Sequence, residues 1–297
     1  MGSGPLAAYT QNLSQTRSTR RVIGRRRHRP IVAHRDVMRA PVACGKMRVM
    51  VNRLCALVAG LVLGLNIAVS QAQQPDRLCG AMDVVLVLDV SGSMWGALLS
   101  IQKQAISLLD DIDRMSGGDY RLGLVVFREY IQVLGDLDAF PTPDGKKAFV
   151  AHALAGLGAA GGEQIPELSA DALSTVLDRL PAAGRPQIGD FTGNFEADVR
   201  IVILITDQLP GGFDDVYTPG IDDLLAERMA REAGRMNVRI SAVYVPTQVW
   251  PDPETQRIMQ TYANETLGLY IMTDRRGEGV GDSIADIVAS CGERLMS

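Results

Sequence analysis

Two short polar segments of this chain each follow an apolar segment where a buried strand is expected. Residues 82–88, rich in valine, run into Asp89-Val90-Ser91-Gly92-Ser93, and residues 199–205 run into Thr206-Asp207. If the first segment curls, as Gly92 permits, its carboxylate and two hydroxyls converge, and Asp207 adds a second carboxylate. Oxygen ligands of this kind suit Mg²⁺, Mn²⁺ or Ca²⁺ rather than zinc. The sequence therefore predicts a site for a hard divalent cation.

The elements that must position these residues alternate along the chain. Strands are expected at 82–88, 122–127, 131–134, 199–205, 238–245 and 269–272, and helices at 97–115, 146–157, 167–180, 221–236, 251–266 and 280–291. Only three residues separate the second and third strands, which favours an antiparallel hairpin. The alternation predicts an α/β, doubly wound, mostly parallel Rossmann-like sheet with one antiparallel edge strand. In such sheets ligands bind beyond the carboxyl ends of the strands, where both polar segments lie.

The two segments together resemble a known family. Val-Leu-Val-Leu-Asp89-Val-Ser91-Gly-Ser93-Met94 resembles the Asp-x-Ser-x-Ser pattern of the metal-ion-dependent adhesion site (MIDAS) in von Willebrand factor type A (vWFA) domains. Ile203-Leu204-Ile205-Thr206-Asp207 is similar to that family's later strand, which ends in Thr-Asp. The resemblance covers about residues 80–291 and implies a vWFA domain at 79–292. It also implies that Asp89, Ser91, Ser93 and Asp207 hold a metal, with Mg²⁺ expected first and Mn²⁺ or Ca²⁺ as alternatives.

The third metal loop departs from the family pattern, because residues 156–162 lack the usual threonine. Gly161-Gly162-Glu163-Gln164-Ile165-Pro166-Glu167 resembles a Gly-Gly-Asp-x-Pro-Glu variant whose final glutamate approaches the metal. That resemblance implies Glu167 as the third-loop ligand, with Glu163 as its substitute because one extra residue shifts the register. Thr206 is expected as a further ligand or as a support for one. Two alternatives stay open: Glu167 as a favourable charge at a helix N-terminus, and Ser93 as a helix N-cap.

Charge is distributed unevenly along the chain. Residues 1–53 hold twelve basic residues and one acid, whereas residues 54–297 hold 18 basic and 33 acidic residues. A domain this acidic repels nucleic acid, so none is expected as a partner.

The basic start precedes an export signal. Arg48 and Arg53 lead into the uncharged apolar residues 54–69, which are followed by Ser70-Gln71-Ala72, a small-x-small cleavage pattern. Residues 47–72 are therefore predicted to be a signal peptide or, alternatively, an uncleaved membrane anchor. Residues 1–46 are expected to be a basic, disordered leader or, alternatively, an over-long start. Both alternatives for 47–72 export the domain, as a periplasmic, secreted or N-terminally anchored protein.

Two cysteines bracket the exported domain. Cys79 precedes the first expected strand and Cys291 ends the last expected helix. In an oxidising compartment this placement predicts a Cys79–Cys291 disulfide, with two unpaired thiols as the alternative.

The residue types of the exported part favour binding over catalysis. The exported part holds a single histidine, His152, without an obvious serine partner; no Gly-x-Ser-x-Gly motif occurs, and no Gly-x-Gly-x-x-Gly motif follows the first expected strand. The expected function is an adhesion module, not an enzyme, that captures a protein ligand's Asp, Glu or C-terminal carboxylate through the metal. A structural subunit of an envelope assembly and a hydrolase using Glu163 or Glu167 as base remain alternatives. Trp95, beside the site, is expected either to contact the partner or to pack in the core.

Overall fold

A computed structural model of the protein describes residues 79–139, 142–161, 167–214 and 216–293. The predicted leader and signal segment, residues 1–46 and 47–72, lie outside these ranges, as does Glu163. The strands are β1 Met82–Asp89, β2 Tyr120–Phe127, β3 Ile131–Gly135, β4 Gln187–Ile188, β5 Val199–Thr206, β6 Arg239–Tyr244 and β7 Tyr270–Met272. The α-helices are α1 Trp95–Ser116, α2 Pro143–Gly156, α3 Ser169–Leu177, α4 Asp222–Arg235, α5 Pro253–Thr266 and α6 Val280–Ala289.

The seven strands form one sheet in the order β4-β3-β2-β1-β5-β6-β7. All neighbouring strands are parallel except β2 and β3, which form the expected antiparallel hairpin. The mostly parallel, doubly wound fold is thus confirmed. The sequence did not predict β4, a two-residue strand that pairs with β3 and forms the edge of the sheet.

Side chains of the central strands alternate between two apolar cores, one on each face of the sheet. On β1, Met82, Val84, Leu86 and Leu88 face the core covered by α1, α2 and α6, whereas Val85 and Val87 face the core covered by α3, α4 and α5. Burial on both faces explains why this strand has valine or leucine at every position from Val84 to Leu88. The two packed layers of helices hold β1 rigidly at the centre of the sheet, beside β5.

The helix starts lie within three residues of the expected ones, and two of the differences are informative. α2 begins three residues early, at Pro143, because the Thr142 side chain accepts a hydrogen bond from the Gly145 N–H and caps the helix. α3 begins at Ser169, so the prediction that Glu167 opens this helix is wrong. Glu167 instead forms an isolated parallel bridge with Pro210.

The predicted disulfide is present between Cys79 and Cys291, whose Cα atoms lie 5.7 Å apart. It joins the residues before β1 to those after α6, 212 positions along the chain. α6 ends at Ala289, so Cys291 follows the helix, in a left-handed conformation, instead of lying within it. Among the residues that the structure describes, none of the helices is long and apolar enough to span a membrane.

Candidate metal centre

Backbone hydrogen bonds bring three loops together beyond the carboxyl ends of β1 and β5. The loop after β1 receives a bond from Ala160 N–H at the Val90 carbonyl (3.1 Å) and donates one from Gly92 N–H to the Gly161 carbonyl (2.9 Å). The third loop continues to Glu167, which exchanges two backbone bonds with the loop after β5, to the Leu209 carbonyl (3.0 Å) and from Gly211 N–H (2.7 Å). The three segments singled out from the sequence therefore meet at one edge of the sheet.

Asp89 is buried and held in one orientation. Its Oδ1 accepts a hydrogen bond from the Ser91 N–H (2.9 Å), and its Oδ2 accepts one from the Thr206 hydroxyl (2.7 Å). Burial and, next, the negative charge of Asp207 raise the pKa of Asp89 from 3.8 to about 7, against the lowering effect of these hydrogen bonds. Thr206 thus supports Asp89 directly, which is one of the two roles expected of it.

Asp207 is also buried, next to Asp89, and burial raises its pKa as well. Its Oδ2 accepts hydrogen bonds from the Thr247 hydroxyl and from the Gln208 side-chain amide (3.2 Å), and Ser93 lies close enough to stabilise its charge. Its Oδ1 is buried and has no hydrogen-bond partner among the described residues. A buried carboxylate oxygen without a partner is costly, and a cation would satisfy it.

The two serines converge as the sequence predicts. Ser91 is buried, Ser93 is exposed, and their hydroxyl oxygens lie 3.2 Å apart across a short 3₁₀ turn, Gly92–Met94. The alternative of Ser93 as a helix N-cap is wrong, because α1 begins at Trp95 after Met94 and receives no side-chain cap. Trp95 is 55% exposed, so it does not pack in the core.

Glu167 is buried beside the loop that follows β5. Nevertheless, no three His, Cys, Asp or Glu side chains of the described residues are grouped so that they could hold a metal ion. The site therefore presents two carboxylates, Asp89 and Asp207, with hydroxyls from Ser91 and Ser93. This donor set fits a hard divalent cation, and Glu167 as a third-loop ligand stays a prediction.

Sequence reasoning missed three residues that hold the site in shape. Gln208 and Thr247 orient Asp207. Arg128 donates a hydrogen bond to the Ala160 carbonyl (2.7 Å) and so fixes the third loop. Thr247 follows β6, and it reaches Asp207 because β6 lies beside β5 in the sheet, which the sequence did not indicate. For Arg128, the first residue of the turn between β2 and β3, no sequence signal indicated this contact.

No protein-family model matches the chain, and no curated protein matches it. Solved structures do. Proximal thread matrix protein 1 from the mussel byssus is 16% identical, with a TM-score of 0.50, over 71% of this chain and 48% of that one. The same mussel protein has been solved with zinc in its MIDAS motif (15% identity, 71% and 48% coverage, TM-score 0.47).

The von Willebrand factor domain of the type V pili tip protein Mfa5 from Porphyromonas gingivalis is 13% identical over 73% of this chain and 98% of that one, with a TM-score of 0.46. This chain spans about half the length of the mussel protein it matches. The chain and the mussel protein share a fold. At these identities the likeness extends to the fold alone.

Proposed function

We propose that this domain is a vWFA-type adhesion module that captures a carboxylate of a protein partner through a divalent cation, Mg²⁺ in the first place, held by Asp89, Ser91, Ser93 and Asp207. The observation that carries the proposal is the pair of buried carboxylates, Asp89 and Asp207, placed side by side with no positively charged side chain bonded to either among the described residues. Two buried acids in this arrangement repel each other unless a proton or a cation lies with them.

A bound divalent cation would supply an open coordination position for the partner's Asp, Glu or C-terminal carboxylate. The protein's own residues orient the metal-binding side chains. Thr206, Gln208 and Thr247 fix the orientation of the two aspartates, so little ordering is needed on binding. Ser93 and Trp95 are exposed beside them, which leaves the site accessible to a large partner.

We further propose that the domain works outside the cytoplasm, in the periplasm or as a secreted protein. The Cys79–Cys291 disulfide supports this placement, because disulfides persist in oxidising compartments. We also propose that the site binds without turnover. His152 is exposed on α2, and no hydrogen bond joins it to a serine within the described residues.

Binding of a one-acid peptide, acetyl-Gly-Gly-Asp-Gly-Gly-amide, tests the capture of a carboxylate. We expect saturable binding by calorimetry in Mg²⁺ or Mn²⁺, lost in EDTA, with Asp89→Asn, or when the peptide's Asp is replaced by Asn. Asp286→Asn, an exposed acid on α6, is the matched control and should bind as the wild type does. Equal binding with and without metal would contradict the proposal, and cleavage of the peptide, seen by mass spectrometry, would contradict a role without turnover.

A further inference from the structure

A cavity of about 590 Å³ opens directly beside Ser93. One wall is a single face of α1, and the other is the loop between β7 and α6. The cavity is lined by Ser93, Trp95, Gly96, Leu99, Ser100, Lys103, Gln104, Arg276 and Glu278. It is thus continuous with the metal site and extends away from it along α1.

Close backbone packing fixes the shape of this cavity. A Cβ atom at Gly96 would lie 1.8 Å from the Arg276 carbonyl oxygen, so only glycine lets the loop lie against α1. The Ser100 hydroxyl donates to the Glu278 carbonyl (2.7 Å) and holds the same loop from the far side. A cavity built this way is formed before a partner arrives, which lowers the cost of binding.

The charges in the cavity differ from those of the rest of the domain. Lys103 is exposed and makes neither a hydrogen bond nor an ion pair among the described residues. Arg276 is 83% exposed and meets Glu278 only at 3.8 Å, between two solvated side chains, a contact of little energy. Two basic side chains against one acid therefore line this cavity, although residues 54–297 carry nearly twice as many acids as bases.

Spacing along α1 sets the distance between the metal site, which lies beside Trp95, and the positive charge of Lys103. Eight residues separate Trp95, at the start of the helix, from Lys103, which corresponds to about 12 Å at 1.5 Å per residue. An extended peptide covers that distance in about four residues. The exposed ring of Trp95 and the side chain of Leu99 line this stretch of the cavity and offer an apolar surface.

We propose that this cavity is a second recognition subsite for an extended acidic segment of the protein partner: one acid at the metal, an aromatic or aliphatic side chain against Trp95 and Leu99, and a second acid, about four residues further on, at Lys103, with the positive charge of Arg276 on the opposite wall. The subsite rests on the proposed function, because the first acid is the one captured by the cation. It makes the site selective for pairs of acids at a set spacing, and not for any exposed carboxylate.

Calorimetry in Mn²⁺ with three peptides tests this subsite: Asp-Gly-Phe-Gly-Glu, the same peptide ending in Gln, and Asp-Glu-Phe-Gly-Gly, all acetylated and amidated. We expect the first to bind about fivefold more tightly than the other two, with the advantage reduced at 0.5 M NaCl because the added ion pairs are exposed. Lys103→Gln and Arg276→Gln should each reduce the advantage while leaving the affinity for the Gln peptide unchanged. Lys147→Gln, which removes a basic residue outside the cavity, is the matched control.

The two proposals fail in different ways. If all three peptides bind equally, if none binds, or if Lys103→Gln and Arg276→Gln have no more effect than Lys147→Gln, the subsite is overturned. If the first peptide keeps its advantage, and loses it in Lys103→Gln, but EDTA and Asp89→Asn change nothing, the cavity recognises acids and the proposed metal capture is overturned instead.

Discussion

The two ends of β1 each carry a buried aspartate, and the charged groups around the two side chains are of opposite sign. Asp83, near the start of the strand, receives two hydrogen bonds of 2.8 Å from the Arg121 guanidinium and two more from the N–H groups of Glu196 and Ala197. Asp89, at the end of the strand, receives bonds from a backbone N–H and a hydroxyl but from no basic side chain among the described residues, and the negative charge of Asp207 acts on it.

The difference shows at which end of β1 the protein itself neutralises the buried carboxylate. At Asp83 the chain supplies the positive charge and enough donors for both carboxylate oxygens, so this buried carboxylate is fully paired by the protein itself. At Asp89 and Asp207 the chain supplies two negative charges and leaves an oxygen of Asp207 without a hydrogen-bond partner among the described residues. Such an arrangement is suited to receiving a cation from solution.

The largest expected effect comes from Asp83→Asn. The substitution removes the charge that compensates Arg121 and should lower the free energy of unfolding by about 3 kcal/mol, measured by urea denaturation in EDTA. Asp138→Asn, which removes an exposed partner of the same arginine, is the control and should change it by less than about 0.5 kcal/mol.

In the same assay Asp89→Asn should leave the metal-free protein at least as stable as the wild type, because it removes one of two repelling acids. A loss as large as that of Asp83→Asn would show that the two aspartates have the same structural role, and the comparison between the two ends of β1 would fail.

A smaller effect concerns pH. Because the pKa of Asp89 is raised from 3.8 to about 7 in the folded protein, the folded state holds this proton more tightly than the unfolded state does. The stability that protonated Asp89 contributes to the metal-free protein should therefore be fully present below about pH 4 and be lost as the pH rises to about 7. Asp89→Asn should remove the decrease in the free energy of unfolding that ionisation of Asp89 causes.

The measurement is the difference in unfolding free energy between wild type and Asp89→Asn across this pH range in EDTA. Groups other than Asp207, whose charge interacts with that of Asp89, titrate alike in both proteins and cancel in the difference. If the unfolding free energies of the two proteins change in parallel with pH, the raised pKa of Asp89 is contradicted. With excess Mn²⁺ the wild type should instead gain stability as the pH rises, because the cation binds the ionised carboxylate.

The sequence predicted the fold because its strands are long and apolar on both faces. β1, β5 and β6 follow this pattern, and the disulfide followed from where Cys79 and Cys291 stand relative to them. The two-residue β4 lies in a loop rich in glycine and proline, and its pairing with β3 is a long-range contact that local patterns do not indicate.

The convergence of side chains in the loop after β1 was predictable for the same local reason, since Asp89, Ser91 and Ser93 are close in sequence and follow a strand. The contacts that orient the site were not. Thr247 contacts Asp207 only because β6 lies beside β5, and Arg121 faces Asp83 only because β2 pairs with β1 in that register. Sheet order and register depend on the packing of the whole domain.

Calorimetric titration of the metal-free, oxidised chain with Mn²⁺ and Mg²⁺ tests the central claim most directly. The account predicts one ion bound per chain, with affinity lost in Asp89→Asn and in Asp207→Asn but kept in Asp286→Asn, while circular dichroism shows that all four proteins are folded. If the wild type binds no ion, or if Asp89→Asn binds it as tightly as the wild type does, the two buried aspartates do not form a metal site.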